Sequence, residues 1–76
     1  MPHVEIKCYP GRTEELKRKC AERIAEEITD ILGCNISSVS VVIKEIPEAE
    51  WKEKVWDADI APNEKYLYKK PGYTYE

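Results

Sequence analysis

No run of this chain approaches the ~20 apolar residues that a membrane-spanning helix needs, and Met1-Pro2-His3-Val4-Glu5 has no basic region leading into an apolar one. A soluble, cytoplasmic protein with no membrane partner is the expectation. Concentrated positive charge is missing too. Twelve Lys and Arg stand against 15 Asp and Glu, a formal net charge of -3, whereas a surface that tracks nucleic-acid phosphates carries a basic excess. The Lys17-Arg18-Lys19 run is flanked by Glu14, Glu15 and Glu22 and reads as a solvated helix face. The three cysteines, Cys8, Cys20 and Cys34, are odd in number and form no C-x-x-C pair. With one histidine, His3, they make neither a disulfide framework nor a zinc site. Each lies at or beside an apolar position, so reduced, mostly buried thiols are expected. There is no G-x-S-x-G, no HExxH, no Gly-rich phosphate loop, no internal repeat and no low-complexity tract. No metal or cofactor is called for.

What is present is small. Seventy-six residues make one domain at most, and a chain below ~80 residues rarely draws more than ~3–5 kcal/mol from its own core. With disulfides and metals set aside, partner subunits are the remaining source of stability.

His3 to Tyr9 alternates, with Val4, Ile6 and Cys8 on one side and His3, Glu5, Lys7 and Tyr9 on the other, which predicts a half-buried strand. Pro10-Gly11 breaks it. Thr13 can cap a following helix whose first turn holds Glu14 and Glu15, where the helix dipole favours negative charge. Leu16, Cys20, Ile24, Ile28, Ile31 and Leu32 recur at helical spacing opposite Lys17, Arg18, Glu22, Glu26 and Asp30, and Gly33 stands as a C-cap. A second strand is predicted from about Ser38 to Ile46, β-branched and apolar on both faces. Strand, helix and strand make an α/β (α+β) unit of β-α-β form with parallel strands. Two strands and one helix leave the sheet open, so oligomerisation should complete it, with a symmetric homodimer the smallest solution. The remaining residues hold Trp51, Trp56 and four of the five tyrosines. They predict a short helix from about Glu48 to Ala58, a further turn near Glu64 to Tyr68, and an irregular tail whose aromatics cap a core or fill an interface.

One chemical group stands out at the N-terminus. A small residue after Met1 permits removal of the methionine, and removal at Pro2 leaves a secondary amine in place of an amide. An ordinary α-amino group titrates at ~7.7–8. Apolar burial or a nearby cation would favour the neutral form and bring it into the range useful to a general base.

The spacing around Pro2 resembles a known family. Pro2 opening a strand, Gly11-Arg12 with Thr13-Glu14-Glu15 leading the helix, and Ser37-Ser38-Val39 before the second strand resemble the 4-oxalocrotonate tautomerase family. Trp51, Val55-Trp56-Asp57-Ala58, Ile60-Ala61-Pro62 and the ending Lys69-Lys70-Pro71-Gly72-Tyr73 are similar to its small dimeric bacterial members, those of the phenylpyruvate-enol type. The resemblance implies a single tautomerase-like domain over residues 1–76, a cofactor-independent isomerase of enol and keto acids. Within it Pro2 is the catalytic base, Arg12 the carboxylate-binding group and Trp51 an aromatic wall of the pocket. Hexameric members carry a second arginine where this chain has Ser40, which puts a dicarboxylate substrate in doubt and leaves Lys44, Lys69, Lys70 or a tail tyrosine as alternative donors to the substrate carbonyl. A non-catalytic oligomeric module of the same fold is the alternative.

Overall fold

The computed structural model of the chain describes residues 1–75, and these fall into two compact units, Met1–Glu45 and Ile46–Glu76. The first unit is the β-α-β element. Strand β1 (His3–Cys8), helix α1 (Glu14–Leu32) and strand β2 (Ser40–Glu45) follow in order. The strands pair in parallel with His3 opposite Ser40 and Cys8 opposite Glu45. Ser37 and Ser38 lie in a short 3-10 turn (Ile36–Ser38) ahead of β2, because the Asn35 side chain accepts the Ser37 amide at 2.9 Å and turns the chain there.

Both ends of α1 are set by the residues the sequence marks. Thr13 is extended and its hydroxyl accepts the Leu16 amide at 3.2 Å, satisfying one of the donors a helix start leaves open. Gly33 closes the helix at φ 70°, a left-handed conformation open to glycine at no steric cost, and its amide returns to the Thr29 carbonyl at 3.0 Å.

The buried arc of α1 is displaced from the predicted stripe. Ala21, Ile24, Ala25, Ile28 and Thr29 are half-buried, whereas Leu16, Cys20, Ile31 and Leu32 are exposed. The helix lies chiefly over β2, and small residues let it approach the sheet. Lys17 belongs to that arc rather than to the solvated face. Its ammonium bonds Glu14 at 2.7 Å and reaches Glu45 at the end of β2 at 3.5 Å. The hydrogen bond from Lys17, with its charge, lowers the Glu14 pKa, and the same bond raises that of Lys17. The thiols also differ from expectation: Cys8 and Cys34 are half-buried, Cys20 is exposed, and all three are free.

Strand alternation divides the sheet. Val4, Ile6, Val41 and Ile43 share one face, and His3, Glu5, Lys7, Ser40, Val42 and Lys44 share the other. Glu5 pairs there with Lys44 at 3.3 Å and Lys7 at 3.8 Å. The sheet has two strands and hence two open edges. Among the described residues Val55 is the one buried hydrophobic side chain, at 5% exposure.

The second unit is helical where the short helix from about Glu48 to Ala58 is predicted, but with 3-10 and π geometry. A 3-10 turn (Glu48–Glu50) leads into a π-helix (Lys52–Ile60), and a further 3-10 stretch (Ala61–Tyr66), distorted at Asn63, replaces the turn expected near Glu64 to Tyr68. The Ala61 amide bonds the Trp56 carbonyl, the five-residue step that defines the wider helix. Lys52 grips Asp57 through both carboxylate oxygens, at 3.0 and 3.2 Å. That pair is five residues apart and would diverge by roughly 140° on an α-helix. No helix among the described residues is long and apolar enough to cross a membrane.

Candidate active site

Pro2 sits immediately before β1 and is half-buried. Its carbonyl accepts the Ser40 amide at 3.1 Å, so the parallel ladder already grips the chain at Pro2. Met1 beyond it is fully exposed. Loss of Met1 would therefore leave an amine on a ring whose own carbonyl is anchored, with little freedom to swing away.

Arg12 lies in the connection between β1 and α1, directly after Gly11, whose φ of 126° is open to glycine but not to residues with a side chain. The Arg12 guanidinium is exposed and donates through Nη1 to the Tyr9 carbonyl at 3.2 Å. It forms no ion pair among the described residues. One prong of the fork, Nη1, is thus engaged by a backbone oxygen, which leaves Nε and Nη2 as the donor pair for bidentate capture of a carboxylate.

Pro2 and Arg12 are not brought together within one chain. They stand beyond opposite ends of the six-residue β1, and at ~3.3 Å per residue the strand alone separates them by about 20 Å. No side chain spans that gap.

Ser40 shares a 2.6 Å hydrogen bond between its Oγ and His3 Nδ1, side by side at the head of the sheet. Its hydroxyl is thus already engaged by the His3 ring, on the polar side of the strand. Of the alternative donors, Lys44 is committed to Glu5. Lys70 lines a cavity of about 340 Å³ in the second unit together with Trp56, Ile60, Leu67, Pro71 and Tyr73, and Lys69 is exposed.

Trp51 also belongs to the second unit. It is half-buried, and its indole Nε1 donates to the Tyr73 hydroxyl at 2.9 Å. Tyr73 in turn packs against Trp56 at 5.6 Å with the rings tilted by 45° and meets Tyr75 edge-on at 6.1 Å, while Tyr75 lies 5.4 Å from Trp56. Tyr73 and Tyr75 are thus partners of the tryptophans, whereas Tyr66 and Tyr68 are exposed.

Comparison with known proteins bears on this geometry. Residues 2–53 match a family model described as "Tautomerase enzyme". A protein of Enterobacter sp. (strain 638) named Tautomerase PptA is 44% identical over 75 residues, which cover 97% of this chain and 99% of that one. A probable tautomerase of Xylella fastidiosa (strain 9a5c) is 38% identical over 73 residues, 96% of this chain and 89% of its own. Among solved structures, one from work on 4-oxalocrotonate tautomerase isozymes of Methylibium petroleiphilum superposes with a TM-score of 0.62 at 32% identity, covering 66% of this chain and 81% of that one.

Proposed function

Because this chain belongs to the tautomerase family and is a tautomerase, we propose that it interconverts the enol and keto forms of a 2-keto acid such as phenylpyruvate, with the Pro2 amine as general base, at a site shared between two copies in a homodimer. The observation that carries this is the anchoring of Pro2 at the head of β1. Held there, a secondary amine released from Met1 is a fixed base. Neutral Pro2 takes the enol hydroxyl proton, charge develops along the enolate, and the protonated amine returns the proton to the adjacent carbon. One proton has moved from oxygen to carbon, with no change in oxidation state.

Sharing of the site follows from the separation of Pro2 and Arg12. The sheet has free edges, and a two-fold axis that joins two β1 edges runs the strands antiparallel. The head of one β1 then lies beside the foot of the other, so Pro2 of one protomer meets Arg12 of its partner. The exposed Leu16, Ile31, Leu32 and Ile36 give such an assembly apolar surface to cover. Arg12 then holds the substrate carboxylate while Trp51 supplies an apolar wall that disfavours the charged form of the amine.

With Ser40 in place of a second arginine, the site holds one guanidinium for carboxylate capture, which suits a monoacid. Ketonisation of enol-phenylpyruvate, followed by loss of enol absorbance, should therefore be accelerated with a higher kcat/KM than conversion of a dicarboxylate dienol. No acceleration of the phenylpyruvate reaction would refute the proposed activity, and a clear preference for the dicarboxylate would refute the part assigned to Ser40.

A further inference from the structure

The π-helix does something an α-helix could not. Trp51 at its entrance and Trp56 within it are five residues apart, a step that turns a side chain roughly 140° on an α-helix but is close to a full turn where the backbone bonds from residue i to i+5. Both indoles are consequently reached by one residue of the tail. Tyr73 uses its hydroxyl on Trp51, at 2.9 Å, and its ring on Trp56, at 5.6 Å. The ring is steadied from a second side by Tyr75 at an interplanar angle of 87°. The Lys52–Asp57 pair ties the same five-residue step on the polar side.

We propose that Tyr73 is a positioning residue for substrate binding, its hydroxyl fixing the rotation of the Trp51 indole, so that the C-terminal tail sets the enzyme's preference for substrates with an aryl ring. This rests on Trp51 being a wall of the site. A neutral hydrogen bond aimed at the ring nitrogen selects one indole orientation, and a flat substrate ring is sensitive to the tilt of the flat surface it packs on. A small aliphatic enol is much less so. The π-helix, often found at functional sites, is then the backbone device that lets one tyrosine brace two tryptophans.

Tyr73→Phe isolates the hydroxyl, since the phenyl ring keeps its contacts with Trp56 and Tyr75. The expected result is a KM for enol-phenylpyruvate raised about 2- to 10-fold, the effect of one neutral hydrogen bond, with a smaller change in kcat and a smaller KM change for a short aliphatic 2-keto acid enol. In a Trp51→Phe background, which has no indole N–H, the same substitution should add nothing. The Trp51 indole proton, followed by NMR, should exchange faster in Tyr73→Phe than in wild type. An unchanged KM, or an equal rise in both backgrounds, overturns the proposal. Should Trp51→Ala itself leave KM and kcat unchanged, the assignment of Trp51 to the site fails and the role of Tyr73 with it, whereas an effect of Trp51→Ala without one of Tyr73→Phe overturns the tyrosine's role alone.

Discussion

Pro2→Ala is expected to lower kcat for enol-phenylpyruvate by at least ~100-fold, within the ~10²–10⁴-fold that a positioned general acid-base group contributes, while the circular dichroism of the protein stays as in wild type. The variant still ends in an amine once Met1 is gone, so basicity as such survives. What is lost is the ring that ties the nitrogen to a backbone whose carbonyl is held by Ser40 at 3.1 Å. A primary amine on an open chain turns freely and is better hydrated; the first loses the geometry for proton transfer and the second favours the protonated, unproductive form. Protein that retains Met1 should fall further, because its Pro2 nitrogen is an amide without a usable lone pair. Intact-mass measurement on each preparation therefore belongs with the rate. Turnover equal to wild type in either sample would remove Pro2 from the mechanism.

The second large effect concerns Arg12 and the sharing of the site. Arg12→Ala should raise KM for phenylpyruvate by about 10- to 100-fold, the range of a charge-assisted hydrogen-bond pair, with less effect on kcat if the carboxylate is held equally in ground and transition states. The sharper test mixes Arg12→Ala with Pro2→Ala under conditions of subunit exchange. Neither variant has a complete site alone. Half the resulting dimers are mixed, and in each of these one site combines native Pro2 from one chain with native Arg12 from the other. About a quarter of wild-type activity per chain should return. If both groups served one protomer's own site, mixing would restore nothing, but about 20 Å of strand argues against that arrangement.

Much of this was legible from residues alone. Alternation over His3 to Tyr9, the cap residues Thr13 and Gly33, and the β-branched run near Val41 define the β-α-β element because each reports on local backbone geometry. The expected β2 began before the observed one because the Asn35 side chain competes for the Ser37 amide, a local bond that apolar patterning does not register. The apolar stripe on α1 was placed off the buried arc for a related reason. Leu16 and Ile31 are apolar, yet exposed in the single chain, and a hydrophobic pattern records surfaces destined for a partner as readily as those covered at home. The π-helix escaped because sequence templates are built on a 3.6-residue period. Only in retrospect do Lys52 with Asp57 and Trp51 with Trp56 mark a five-residue step.

The candidate site was read less completely than the fold. Pro2, Arg12 and Trp51 stand out by resemblance to the family, but resemblance does not say that Pro2 and Arg12 lie beyond opposite ends of β1. The separation of Pro2 from Arg12 could have been found by counting the residues of one strand. The engagement of Ser40 by His3 could not, since it depends on the register that sets those residues opposite one another.

The role of Pro2 as the base is open to one decisive measurement, titration of its nitrogen in 15N-proline-labelled protein freed of Met1, with the midpoint set against the pH dependence of kcat/KM. The expected result is a Pro2 pKa below the ~7.7–8 of an ordinary α-amino group and a kcat/KM that rises with pH through that same midpoint, as the amine becomes neutral. A solvent-like pKa, or a rate that does not follow the titration, would contradict it.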